Sequence, residues 1–148
     1  MTMRDASRDQ FPHFLSIPTR WMDNDQYGHV NNVVYYSYFD TAVNQFLIAR
    51  GVLNIHNGDV VGFVVDSGCA YFSSISFPDT IHAGIRVAKL GNSSVRYEIA
   101  LYRNDDPRPC AAGHFVHVYV ERSSNRPVPI PASVRDVLET LRSAVAKN

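Results

Sequence analysis

The chain holds only two cysteines, Cys69 and Cys110, which is too few for a disulfide-stapled scaffold, and their spacing is not that of a zinc site. Neither has a local helix N-terminus or basic neighbour to mark a reactive thiolate, and Cys69 reads as a small core residue. Net charge is also lacking: 14 basic residues cancel 14 acidic ones, with no Lys/Arg block. That removes the electrostatic case for nucleic acid or an anionic membrane surface. No apolar run approaches the length needed to span a bilayer. Met1–Gln10 is polar and mixed in charge, so no secretory signal is expected and a cytoplasmic location is the default. There is no Gly-x-Ser-x-Gly elbow and no Gly-rich phosphate loop, which excludes an α/β-hydrolase or P-loop route to hydrolysis. His114 and His117 sit on an expected strand and point to opposite faces, so a shared metal is not expected.

What is present is globular. Over 148 residues, 45% are apolar and 19% charged, enough to bury one substantial core and too little charge for disorder. A single domain over residues 1–148 is expected, with 1–10 as a frayed tail. The chain is organised around Arg20-Trp21-Met22-Asp23-Asn24-Asp25-Gln26-Tyr27-Gly28-His29-Val30-Asn31-Asn32, a polar loop that runs directly into the most apolar segment, Val33–Ala49. That segment reads as a helix over 32–50, capped by Asn31 or Asn32 and ended by Gly51. Apolar side chains fall on nearly every face of it, which marks a helix enclosed by other structure.

Strand patterns surround this helix. His13–Arg20 reads as a first strand near a sheet edge, because of Pro18. Asn54–Asp59 is a turn, and the β-branched run Val60–Val65 continues to Phe72 with a bulge or bend at Asp66-Ser67-Gly68. Apolar residues alternate at Ile81, Ala83, Ile85 and Val87 and again at Val95, Tyr97, Ile99 and Leu101. A last strand spans Cys110–Glu121, then Arg126–Pro131 is an extended proline-rich connector, and Ser133–Ala146 is an amphipathic helix. Successive strands joined by short turns imply antiparallel pairing, hence an α+β domain of one sheet with a helix on its concave face.

The run Arg20-Trp21-x-Asp23-x-Asp25-x-x-Gly28-His29-Val30-Asn31-Asn32, with Tyr35 and Tyr38-Phe39 after it, resembles the signature of the hotdog-fold acyl-CoA thioesterases of the 4-hydroxybenzoyl-CoA thioesterase-like group. Phe77-Pro78-Asp79, Arg86-Val87-x-Lys89-x-Gly91-x-Ser93-Ser94 and Arg126–Pro131 are also similar to that group, so the likeness spans roughly 12–145. The resemblance implies a hotdog fold: a curved antiparallel sheet wrapped around one long central helix, plus a C-terminal helix. It implies hydrolysis of an acyl-CoA thioester to the acid and coenzyme A, with no cofactor and no metal. It assigns the attack, or the activation of water, to Asp25, and the oxyanion donor to the backbone amide near Asn32, with His29 orienting loop or substrate. Tyr27, Gly28 and Tyr35 become substrate contacts, and Lys89, Ser93, Ser94 and Arg126 contacts for the coenzyme A nucleotide and phosphates. It further implies a homodimer or homotetramer whose active sites lie between subunits.

Elementary chemistry is compatible with this scheme. First-turn N–H groups lack intrahelical partners and the helix dipole makes that end partly positive, which suits an oxyanion and a carboxylate. A carboxylate is a weak base at neutral pH unless it is desolvated, a service that Trp21, Tyr27, Tyr35 and Tyr36 are placed to give. The same loop also has an ordinary reading, in which Asp25 caps a backbone N–H or pairs with Arg20, and Asp23 is the acid that fixes the turn against Arg20. Asp40, mid-helix among apolar neighbours, is expected to be buried against a loop or sheet partner. Delivery of the substrate on acyl carrier protein, or acyl-CoA binding without hydrolysis, stand as the alternatives; the Asp-His pairing of the hotdog hydratases is not evident.

Overall fold

The computed structural model describes residues 3–53 and 58–142. In chain order it contains β1 (His13–Pro18), α1 (Asn32–Ala49), β2 (Val60–Tyr71), β3 (Thr80–Leu90), β4 (Ser94–Arg103), β5 (Ala111–Glu121) and α2 (Ala132–Glu139). Short 3₁₀ turns lie at Arg8–Gln10 and Trp21–Asp23. All strand pairings are antiparallel, in the spatial order β1-β3-β4-β5-β2. The tight connections β3–β4 and β4–β5 pair as their shortness requires. β2 does not pair with β3, its successor in sequence; it lies against β5 and forms one edge, while β1 forms the other. The sheet packs on α1 in the expected hotdog arrangement.

α1 spans 18 residues, about 27 Å at 1.5 Å per residue. The Asn31 side chain accepts from the Val33 N–H at 3.1 Å, and Gly51 leaves the helix at φ +75°, a conformation that suits glycine. Its buried stripe is Tyr35, Tyr38, Phe39, Ala42, Val43, Phe46 and Leu47, the spacing of one helical face. The helix is therefore not enclosed all round within one chain: Val33 and Ile48 are exposed. Asp40 is exposed as well, and its carboxylate accepts from the Asn44 amide one turn later at 2.9 Å, not from a loop or strand. The stripe meets the inner face of the sheet, where Ile81, Ile85, Tyr97, Ile99, Leu101 and Phe115 are buried. Helix and sheet come close at Gly113, where a Cβ would stand 2.5 Å from the Phe39 ring and 2.2 Å from the Gly68 carbonyl oxygen. No side chain fits there, so the glycine sets how near helix and sheet come.

The outer face is covered at one end by the N-terminal segment. Residues 3–10 are not a frayed tail: Ala6 and Phe11 are buried with Ala100, Tyr102 and Ala112, and the Tyr102 hydroxyl donates to the Ala6 carbonyl at 3.0 Å. The Arg8 guanidinium stacks over Tyr102, 5.0 Å from its ring centre, and donates to the Asp106 carbonyl. This cover explains why β4 is buried on both faces at Ala100–Tyr102, where alternation suggests a half-buried strand.

β2 carries a bulge between Val64 and Asp66, beside the interruption noted in the sequence. Of the expected turn at Asn54–Asp59, residues 54–57 lie outside the described residues. α2 ends at Glu139 with Thr140 as cap, and the expected extension to Ala146 lies outside them from residue 143. Among the described residues no helix is long and apolar enough to cross a membrane.

Candidate active site

Arg20–Asn31 folds back on itself around two acids. Asp23 is buried, at 1% side-chain exposure, and holds the loop: it accepts from the Arg20 backbone N–H at 2.8 Å, from the Arg20 guanidinium at 2.8 Å and from the Tyr38 hydroxyl at 2.9 Å. Burial alone would raise its carboxyl pKa. Hydrogen bonds from the Arg20 backbone, the Arg20 side chain and Tyr38 outweigh that and hold it below the usual carboxylate value. A depressed folded pKa gives stability that is fully present above the ordinary value of 3.8 and is lost as pH falls through the folded one. We expect Asp23→Asn to lower the unfolding free energy by about 2–3 kcal/mol at pH 7. Urea midpoints of the two proteins should converge as pH falls below about 4; a constant gap down to about pH 2.5 would contradict the assignment.

Asp25 occupies the next turn. Its N–H donates to the His29 carbonyl at 2.8 Å, and the Gly28 N–H donates to its carbonyl at 3.1 Å. Its Oδ1 accepts from the Tyr27 N–H at 2.8 Å and the His29 N–H at 3.4 Å. Gly28 sits at φ +81°, which the reversal between Asp25 and His29 requires. The segment Ile75–Asp79 braces this loop from the side. The Ile75 carbonyl accepts from the Val30 N–H at 2.7 Å, the Ser76 hydroxyl donates to the Gly28 carbonyl at 2.9 Å, and the Phe77 N–H donates to the Asn24 side chain at 3.0 Å. The Phe77–Pro78 peptide is cis.

A cleft of about 300 Å³ opens between this loop and β2, lined by His29, Val30, Asn32, Tyr35 and Tyr71 and by Phe72–Ser74. The Asn31 carbonyl takes the Val34 N–H and its side chain takes that of Val33, while no acceptor among the described residues takes the Asn32 N–H. That leaves an uncommitted first-turn donor in the cleft wall. The Tyr71 hydroxyl donates to the Asn32 carbonyl at 3.2 Å, and its ring meets Tyr35 edge-on at 4.8 Å between ring centres. Burial pushes the Tyr35 and Tyr71 hydroxyls up to about 12, and the Cys69 thiol behind them to about 11, so all three are neutral at pH 7.

The structure thus brings His29, Asn32 and Tyr35 to one cleft, with the Asp25 carboxylate held on the backbone of His29 beside it. Asp25 is half-exposed and is not itself part of the cleft wall in the single chain. The aromatic surround expected to dry it is open there, since Trp21 and Tyr27 are exposed. Lys89, Ser93, Ser94 and Arg126 stand elsewhere. The turn between β3 and β4 and the connector after β5 lie at the end of the sheet opposite the Asp25 loop, roughly 30 Å away along the strands. There Arg135 of α2 donates to the Gly91 carbonyl and the Ser93 carbonyl accepts from Tyr119.

A family model, described as the thioesterase-like superfamily, matches residues 19–138, the whole span from the polar loop to α2. The chain belongs to the thioesterase-like superfamily. Thioester hydrolysis is accordingly its class of activity. The PA5185 protein from Pseudomonas aeruginosa strain PAO1 is 58% identical and superposes with a TM-score of 0.90 over 93% of this chain and 96% of that one. A thioesterase from Thermus thermophilus, solved in complex with coenzyme A and Zn, is 30% identical with a TM-score of 0.74 over 89% and 95% of the two chains. The BH1999 gentisyl-coenzyme A thioesterase, at 23% identity and a TM-score of 0.76 over 85% and 99%, shares the fold. Among the described residues of this thioesterase, no group of His, Cys, Asp and Glu is arranged to hold a metal ion.

Tyr71, Ser73 and Ser74 are cleft residues that the sequence did not single out. They reach α1 only because β2 runs back along it. The nearest sequence signal is Phe77-Pro78-Asp79, the break that ends their segment and turns it against the Asp25 loop.

Proposed function

We propose that this thioesterase hydrolyses acyl-CoA esters, with Asp25 as the reacting carboxylate and the Asn32 N–H as the oxyanion donor. The observation that carries the reading is the uncommitted Asn32 N–H in a cleft whose wall includes His29, the residue whose backbone holds the Asp25 carboxylate. Attack on the thioester carbonyl, by the carboxylate or by water that it deprotonates, moves an electron pair onto the carbonyl oxygen. A donor at the positive end of a helix stabilises that charge without moving. Collapse of the adduct breaks the C–S bond and releases coenzyme A. If the carboxylate attacks, water then cleaves the resulting anhydride.

The site is proposed to be completed by a second chain. β2 is an unpaired edge of 12 residues, and Phe63, Val64, Val65 and Tyr71 along it are exposed, as are Val33 and Ile48 of α1. A long apolar edge strand is a template for pairing. Two copies of β2 paired antiparallel about a two-fold axis give one continuous sheet, and lay each chain's Val60 end beside the other's Tyr71 end. Pairing in that sense turns the Lys89, Ser93, Ser94 and Arg126 end of one chain toward the Asp25 end of its partner. This is the geometry in which those residues contact the nucleotide and phosphates of coenzyme A. It also brings the partner chain up to the cleft beside the half-exposed Asp25, which supplies desolvation that the loop lacks in one chain.

The test is thiol release from a panel of short, medium, long and aromatic acyl-CoA esters, run beside the same acyl groups on acyl carrier protein. Turnover of coenzyme A esters with kcat/KM of about 10⁴ M⁻¹s⁻¹ or more is expected. Tight binding across the panel without thiol release would leave a ligand-binding module on this fold, and turnover confined to the carrier protein would change the substrate.

A further inference from the structure

A second cavity lies at the other end of α1. It holds about 180 Å³ and is walled by Leu47, Val52, Leu53, Val60, Val61 and Val134, with Asn44, His117, Tyr119 and Ser133 supplying polar groups. Gly62 also borders it, and a Cβ there would meet Tyr119 at 3.5 Å and His117 at 3.6 Å, ordinary contact distances, so the space above Gly62 is unfilled rather than clashing. A dry cavity of about 150 Å³ accommodates a benzene-sized guest, so this one takes an acyl segment of about six heavy atoms.

His117 is the polar group without an assignment. Its residue exposure is 5%, and neither ring nitrogen has a hydrogen-bond partner among the described residues: Nε2 is buried, while Nδ1 is on the cavity side, 3.6 Å from where a Cβ on Gly62 would stand, and is the nitrogen a guest can reach. Its ring is packed by Phe115 in a stack and by Tyr97 edge-on, with no carboxylate hydrogen-bonded to it. Burial lowers its pKa against the opposing charge of Asp40, so the imidazole is neutral at pH 7 and offers one donor and one acceptor. Leaving such a group unpaired is costly, and a ligand that pairs it is preferred over one that does not.

The cavity is too far along α1 to serve the Asp25 loop of its own chain: Asn44 and Leu47 lie roughly 20 Å from the helix start. In the antiparallel β2 pair, however, Val60–Gly62 runs beside the partner's Tyr71, next to the partner's cleft. We infer that this cavity receives the distal part of the acyl group hydrolysed at the partner's Asp25, and that the His117 imidazole selects short aliphatic acyl groups carrying a neutral hydroxyl or keto oxygen. The inference rests on the acyl-CoA reading above. The cavity's described lining contains no cation, so ω-carboxylated acyl groups are disfavoured.

The experiment uses the full chain and matched CoA esters: butanoyl, 3-hydroxybutanoyl and succinyl with four carbons, hexanoyl and 5-hydroxyhexanoyl with six. The wild type should favour at least one hydroxylated ester over its plain counterpart by about 10–100-fold in kcat/KM, with succinyl-CoA poorest. His117→Leu should bring that ratio near one, mainly by slowing the hydroxylated ester, and His117→Gln should restore part of it. If His117→Leu does not fold, Gly62→Val, which fills the same space from β2, should cut the six-carbon to four-carbon rate ratio at least tenfold. Hydrolysis with no preference, or a preference that survives the folded His117 variant or an unchanged chain-length ratio in Gly62→Val, overturns this inference and leaves the thioesterase reading intact. Hydrolysis of no CoA ester removes both.

Discussion

Asp25→Asn lowers kcat/KM for thioester hydrolysis on the order of 1,000-fold while leaving the fold unchanged. The structural half of that expectation follows from what the carboxylate holds. Oδ1 accepts two backbone N–H groups, from Tyr27 and His29, and an amide oxygen accepts the same pair. The reversal at Gly28 and the brace from Ile75 and Ser76 are unaffected, so melting temperatures should agree within about 2 °C. The catalytic half follows from charge. An amide is neither a nucleophile toward a thioester nor a base for water, whereas the Asn32 N–H and the binding surfaces remain. The loss should therefore appear in kcat, with KM little changed. Single turnover in ¹⁸O-labelled water tests the nucleophilic role of Asp25, since label in the enzyme's carboxylate requires an anhydride that water opens at its Asp25 carbonyl. Turnover within about threefold of wild type would remove Asp25 from the chemistry.

The second large effect is quaternary. The wild-type chain should elute as a dimer or tetramer of its 16.6 kDa subunit by light scattering. The double substitution Val64→Lys, Val65→Lys places charges on the unpaired edge of β2, at positions 49% and 61% exposed in the single chain. Neither side chain belongs to the buried core, so the monomer should still fold. Charge on an edge strand opposes pairing with a second copy. The variant should be monomeric and at least about 100-fold less active, since separation removes the residues proposed to reach coenzyme A and exposes the Asp25 loop to water. A wild-type monomer, or a monomeric variant of full activity, would show that one chain holds a complete site.

Local patterns carried much of the fold. The alternation in β3 and β4, the proline on edge strand β1, the Asn31 cap and the Gly51 exit of α1 all stand where side-chain period and backbone preference put them. The pairing of Arg20 with Asp23 was also legible, because three residues and a turn suffice to make it. Other features were not. Residues 3–10 are polar and look like a tail, yet they pack because Ala100, Tyr102 and Ala112 offer an apolar patch from strands about a hundred residues away. Asp40 reads as a buried acid because its sequence neighbours are apolar, but on a helix those neighbours face inward while it faces out. The cleft residues Tyr71–Ser74 depend on β2 returning past the start of α1, which is a long-range contact with no local signature.

Short-range pattern was enough to place the polar loop ahead of the long helix, the α+β class, and the chemical inventory of acid, histidine and helix-start amide without an elbow serine. These depend on periodicity and on groups within a few residues of each other, where the backbone leaves few choices. The folded chain was needed to show that β2 lies at the far edge beside β5, that Lys89, Ser93, Ser94 and Arg126 stand at the opposite end from Asp25, and that His117 lines a cavity at the far end of α1. Those are matters of which strand pairs with which, settled by burial summed over the whole sheet, and no short window of sequence contains that sum.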